Sequence, residues 1–213
     1  MDFRQIIVGS GKRMAGTGLT VETWGNISCR DPESGLVYLT PSAMHYDIIV
    51  PEDVVVCDLS GNVKEGRRKA TIEKDLHLEI YKARPEVCAI IHTHPVWSMV
   101  YACQGRDIPL FTDEAAQALG DTVHCAPHAP AGSAELAHGC VKALGAKGNA
   151  VLLQSHGAVC VGKTMDEAFK TATVLEATAN VYQLIEASGG KPLLLAPEEI
   201  EAMQEFMRTS YGQ

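Results

Sequence analysis

Three histidines carry the chemistry this sequence suggests. His92 and His94 stand two residues apart at the end of an apolar run, EVCAIIHTHPVW, over residues 86–97. Side chains alternate along a strand, so both imidazoles of such a pair point to one side while Thr93 faces away. Two neutral imidazoles converging at a strand end suit a borderline-soft divalent metal. The competing reading of each is a hydrogen-bonded core or surface histidine. His156 sits at the tip of Gln154-Ser155-His156-Gly157, between two apolar segments, and is the third ligand candidate. Three protein ligands leave a catalytic zinc one open position, so one divalent ion per chain is expected, zinc first. Taken alone, His156 reads equally well as a turn histidine bonded to backbone. His124, His128 and His138 lack ligand spacing. His138 falls on a helix surface, while His124 and His128 stay open as pocket lining. Glu73 opens a helical segment, where a carboxylate is favoured by the helix dipole, and on the residues alone that is the safer reading of it.

The elements that must position these groups follow from periodicity and punctuation. Residues 2–18 read as a helix capped by Asp2 with Ile6, Ile7 and Met14 inward, although Gly9 and Gly11 weaken it. WGNISC, the turn RDPESG and LVYLT form a hairpin pattern; residues 41–53 are irregular, and VVVCDL is a further strand closed by Ser60-Gly61-Asn62. A helix is expected over 72–84, stopped by Pro85, with Leu76 and Ile80 on one face and His77 and Tyr81 beside it. The strand bearing His92 and His94 follows, then a short helix to Cys103, a helical turn at 113–119 and a strand at 122–126. Ser133 caps a helix to Leu144, residues 150–153 and 158–161 are strands, and a long helix runs from the Thr164 capping box to Ala187. Pro197 opens a last helix. Strands in succession with helices between and after them imply a mostly antiparallel sheet covered by helices.

Composition narrows the function classes. A chain of 213 residues without internal repeats suits one domain over 1–213, and a hydrophobic fraction of 46% supplies a core without any run long enough to span a membrane. The N-terminus has no charged leader followed by an apolar segment, so a cytoplasmic location is expected. Seven scattered cysteines without a C-x-x-C pair suit buried thiols in a reducing compartment. A net charge of −8 argues against nucleic acid as partner, so an anionic substrate has to be held by local groups.

Several short motifs recur together. They are Gly25-Asn26-Ile27-Ser28, Thr40-Pro41-Ser42, Glu73 followed by Leu76-His77-Leu78, Ala83-Arg84-Pro85 leading into His92-Thr93-His94-Pro95, and Ser155-His156-Gly157. In this order and spacing, over about residues 25–162, the chain resembles the class II aldolase/adducin family. The resemblance implies a three-layer α/β/α sandwich around a mostly antiparallel sheet, a zinc-dependent site on His92, His94 and His156, and a homotetramer with sites between subunits. It implies retro-aldol cleavage of a ketose 1-phosphate, with the metal as Lewis acid stabilising the ene-diolate and Glu73 as the acid/base on carbon. Asn26, Ser28, Ser42 and Thr71 match positions that hold the substrate's phosphate. Tyr211 resembles a tail tyrosine that reaches a neighbouring site, and Asp113 stands near the place of an acid on the aldehyde side. Two positions depart from the pattern: Ala43 replaces a loop glycine, and Ile72 replaces a serine, removing one hydroxyl. Decarboxylation of a 3-keto sugar acid and pentulose-phosphate 4-epimerisation are chemically adjacent alternatives. An adducin-like interaction module is the non-enzymatic one, against which the retention of Glu73 and all three histidines argues.

Overall fold

The structure, a computed structural model, describes residues 1–210, so Tyr211 lies outside the described residues. Helix α1 (Phe3–Gly16) starts at Asp2, whose carboxylate accepts from the Arg4 and Gln5 N–H groups. Ile7 and Met14 are fully buried, and Gly11 is where Tyr46 packs, its Cδ1 2.7 Å from where a Cβ would be. The irregular stretch after the first hairpin holds two 3-10 turns, Tyr46–Ile48 and Pro51–Asp53.

Eight strands form one sheet. They are β1 (Asn26–Arg30), β2 (Val37–Leu39), β3 (Val55–Cys57), β4 (Val63–Glu65), β5 (Ala89–Thr93), β6 (Cys125–Ala126), β7 (Ala150–Leu153) and β8 (Gly157–Gly162). Their order is β4-β3-β2-β1-β5-β8-β7-β6. Every neighbouring pair is antiparallel except β6 and β7, which run parallel because helix α5 (Ala134–Leu144) crosses over between them. The sheet is therefore mostly antiparallel, as expected, with one parallel pair at its edge. β4 was not expected at all: Val63, Lys64 and Glu65 are all exposed, an edge strand without an apolar face to betray it. The strand expected over 122–126 is reduced to two residues.

Helices cover both faces. On one side lie α1, α3 (Val96–Gln104), α4 (Asp113–Ala118) and α6 (Met165–Ala187), over a core that includes Ala89, Ile91, Phe169 and Leu175. On the other lie α2 (Lys74–Ala83) and α5, over a core that includes Ile90, Leu76, Ile80 and Val159. Strand β5 divides its side chains between the two layers, Ala89 and Ile91 to the first, Ile90 to the second. His92 consequently shares the side of Ile90 and faces α2. The last helix, α7 (Pro197–Thr209), packs mainly on α4. All seven cysteines are free, and among the described residues no helix is long and apolar enough to cross a membrane.

Candidate metal centre and active site

The site lies where β5 ends. β5 is the centre of the sheet, paired with β1 on one side and β8 on the other, so that His92 is flanked by Asn26 and Val159. Past the strand, the His94 N–H donates to the Leu19 carbonyl at 3.0 Å, and Pro95 precedes α3. Glu176 of α6 secures that helix start: its carboxylate accepts from the N–H groups of Trp97 and Ser98 and from the Ser98 hydroxyl, at 2.7–2.8 Å. The third histidine comes from the β7–β8 turn. Ser155 there takes a left-handed φ of 56°, and the His156 N–H donates to the Leu153 carbonyl. Gly157 permits the close fit, because a Cβ on it would overlap the Thr93 carbonyl oxygen and sit 3.0 Å from His92 Cε1.

The three imidazoles converge. Their ring centroids are 4.7–5.2 Å apart, and one nitrogen from each lies within 4.8 Å of the others. His92 Nδ1 donates to the Ala158 carbonyl at 3.0 Å, which leaves the Nε2 lone pair turned inward. That lone pair meets His94 Nε2 at 3.0 Å, a separation that requires a proton or a cation between two nitrogens. Burial pushes His94 down to about 3, helped by His92 and His156 and opposed by Glu73; burial also lowers His156. Both are neutral near pH 7, the form that ligates metal. Trp24 stacks on His94 at 6.4 Å while remaining 60% exposed.

Glu73, immediately before α2, is buried beside this cluster. Its Oε2 accepts from Asn26 Nδ2 at 2.8 Å and lies 3.2 Å from His92 Nε2. Its Oε1 lies 3.3 Å from His156 Nε2 but has no hydrogen-bond partner, although fully buried. Burial by itself raises a carboxyl, yet the neighbouring His92 and His156 rings and the hydrogen bond from Asn26 outweigh it and hold Glu73 below the ordinary carboxylate range. Three inward imidazole nitrogens with an unpartnered buried carboxylate oxygen next to them fit a divalent cation.

The expected substrate contacts divide. Ser42 and Thr71 come side by side, since the Ser42 N–H donates to the Lys69 carbonyl, the Thr71 N–H to the Thr40 carbonyl, and Pro41 bridges Ala70. The Thr71 hydroxyl accepts from the Glu73 N–H. Ser28 is a correction: its hydroxyl is fully buried between His77 and Tyr81 and has no access to a ligand. Asn26 likewise turns its amide to Glu73 and His77. Ala43 adopts φ 54°, the conformation a glycine takes most easily, and Ile72 points outward, 67% exposed. Asp113 is exposed in the first turn of α4, and among the described residues no hydrogen bond or ion pair joins it to the cluster. Sequence reasoning missed Glu176 and the roles of His77 and Tyr81. The one signal available was a histidine and a tyrosine beside the apolar stripe of α2.

The sequence profile described as "Class II Aldolase and Adducin N-terminal domain" matches residues 5–183. The 5-deoxy-D-ribulose 1-phosphate aldolase of Bacillus thuringiensis serovar kurstaki is 37% identical over 210 residues, 99% of this chain and 97% of that protein. The 5-methylthioribulose-1-phosphate/5-deoxyribulose-1-phosphate aldolase of Rhodospirillum rubrum is 33% identical over 99% of this chain and 92% of its own length. Among solved structures, an L-fuculose 1-phosphate aldolase matches with a TM-score of 0.92 and 35% identity, over 97% of this chain and 96% of that one.

Proposed function

The chain belongs to the class II aldolase and adducin family, and from that premise we propose that it is a metal-dependent aldolase cleaving a ketose 1-phosphate by retro-aldol reaction. The observation that carries this reading is the convergence of His92, His94 and His156 on one another beside a buried Glu73 whose Oε1, 3.3 Å from His156, is unpartnered. The three histidines would hold the metal. When bound, a divalent ion there supplies Lewis acidity toward the substrate's carbonyl and hydroxyl oxygens. Glu73 Oε1 handles the proton on carbon, removing it in the condensation direction and returning it in cleavage, while Asn26 holds Oε2 still. Positioning and a neutral imidazole set keep the carboxylate available for that task.

The hydroxyls of Ser42 and Thr71 are the phosphate contacts in this reading. The relatives named above make a 5-deoxypentulose 1-phosphate the first substrate to test, which cleavage divides into a three-carbon ketone phosphate and acetaldehyde. Trp24, which stacks on His94, Ile72, next to Glu73, and Val96, two residues past His94, are 60%, 67% and 65% exposed. In this reading the chain is a homotetramer in which a neighbouring subunit covers these side chains. The seven free thiols suit a cytoplasmic enzyme.

The test pairs metal analysis with turnover. Native protein should carry about one divalent ion per chain, zinc first, and His92→Ala should lose it. Glu73→Gln should keep fold and metal while kcat for the ketose 1-phosphate falls by at least about two orders of magnitude. Carbon dioxide release from 3-keto acids without any aldol cleavage would overturn the aldolase reading.

A further inference from the structure

A chain of polar side chains runs through the interior behind Glu73. Its carboxylate accepts from Asn26 Nδ2 at 2.8 Å, and Asn26 Oδ1 faces His77 Nε2 at 2.5 Å. His77 Nδ1 lies 2.7 Å from the Ser28 hydroxyl, which lies 2.8 Å from the Tyr81 hydroxyl. Ser28 and His77 are fully buried, and Asn26, Glu73 and Tyr81 are at most 4% exposed. Two periodicities interleave to build it. Glu73 at the N-cap of α2 and His77 and Tyr81 within it recur every fourth residue, whereas Asn26 and Ser28 share one face of β1.

Each bond in the chain has one direction. An ionised carboxylate only accepts, so the Asn26 amide presents its NH2 to Glu73 and its carbonyl to His77. That carbonyl needs a donor, which places a proton on His77 Nε2. A neutral imidazole then has a bare Nδ1, which accepts from the Ser28 hydroxyl, and Ser28 in turn accepts from Tyr81.

We infer that His77 is a positioning residue for the general base: as the neutral Nε2–H tautomer it locks the Asn26 amide with its NH2 toward Glu73, and Ser28 and Tyr81 hold that tautomer in place. Burial agrees with the assignment, since it pushes His77 down to about 3 and Tyr81 well up, keeping the imidazole neutral and the phenol protonated. Without His77 the amide is free to turn over, its carbonyl would face the carboxylate, and Glu73 would lose its fixed position. The catalytic part of this inference rests on the aldolase reading; the tautomer does not.

Nitrogen NMR of the full-length zinc-loaded protein with 15N-labelled histidine reads the tautomer without substrate. The expected result at pH 7 is a protonated Nε2 and a bare Nδ1 for His77; a protonated Nδ1, alone or together with Nε2, overturns the inference. Kinetics then separate positioning from packing. His77→Leu should lower kcat about 10–100-fold with KM and metal content unchanged, and His77→Gln, which keeps a donor toward Asn26, should recover most of that loss. Native kcat in His77→Leu, or equal impairment of both variants, overturns the positioning role. Should His77→Leu not fold, Ser28→Ala gives the same reading from the far side of the ring, where unchanged His77 resonances and native kcat would count against it. Absence of turnover with every ketose phosphate would sink the aldolase reading while leaving the tautomer result to stand or fall by itself.

Discussion

Replacing Gly157 by alanine should damage both the fold and the metal site, whereas the same substitution at Gly139 should stabilise the protein. A Cβ at Gly157 would overlap the Thr93 carbonyl oxygen, and it would lie 3.0 Å from His92 Cε1 and 3.4 Å from His94 Cδ2. The first of these is main chain at the end of the β5–β8 ladder, where Thr93 pairs with Ala158, so it has no rotamer by which to move aside. Relief requires the two strands to separate locally. Overpacking of this kind costs about 1–3 kcal/mol, and a weakened ladder bond adds roughly 1 kcal/mol. The sum, about 2–4 kcal/mol, corresponds to a melting temperature lower by on the order of 5–15 °C for a chain of this size. Displaced imidazoles should weaken metal retention in the same variant. Gly139 lies inside α5, and a Cβ there meets only Ala126 Cβ at 4.0 Å, so Gly139→Ala gains about 0.5–1 kcal/mol from reduced backbone freedom. Thermal and urea unfolding, with metal titration of each variant, decide the matter. A Gly157→Ala protein with native stability and native metal affinity would refute the packing argument.

Three further expectations follow from individual groups. His77 has its ordinary value of 6.5 when unfolded and about 3 when folded, so below pH 6.5 the unfolded chain binds the extra proton and stability falls, by about 2 kcal/mol at pH 5 from this group alone; Glu73, also held low, adds to the loss at lower pH. Urea unfolding between pH 7 and 5 should show that slope, to which the lowered His94 and His156 add, and His77→Gln should reduce it by the His77 share. Ala43→Gly should stabilise by about 0.5–1 kcal/mol, because alanine is strained at φ 54°, and an unchanged denaturation midpoint would contradict this. Glu176→Ala removes three acceptor contacts from the start of α3 and should cost about 1–2 kcal/mol, with weaker metal binding because that helix begins just after His94. Native metal affinity in that variant would separate the helix start from the ligand.

Local rules made much of this protein legible from its residues. Alternation along a strand places His92 and His94 on one side, a glycine-flanked turn presents His156, and a helix start exposes a carboxylate at Glu73; each depends only on near neighbours in the chain. The layered fold with a helix-covered sheet follows from the same periodicities. Alternation distinguishes two faces of a strand but does not say what covers each. Ser28 carries a hydroxyl suited to a phosphate, and only the packing of α2 on β1 turns it to His77 and Tyr81 instead. The pairing of Asn26 opposite His92, which brings the amide to Glu73, depends on the register between strands more than sixty residues apart. Edge strand β4 was hidden because its residues bury nothing, and the parallel β6–β7 pair because two residues are too few to make a pattern. Gly157 shows the limit most plainly. Its lack of a side chain looks like turn chemistry in the sequence, yet its reason is the Thr93 carbonyl and the His92 ring, brought there by a separate strand. Neighbours along the chain determine which groups are available, and contacts between distant segments decide which of them meet.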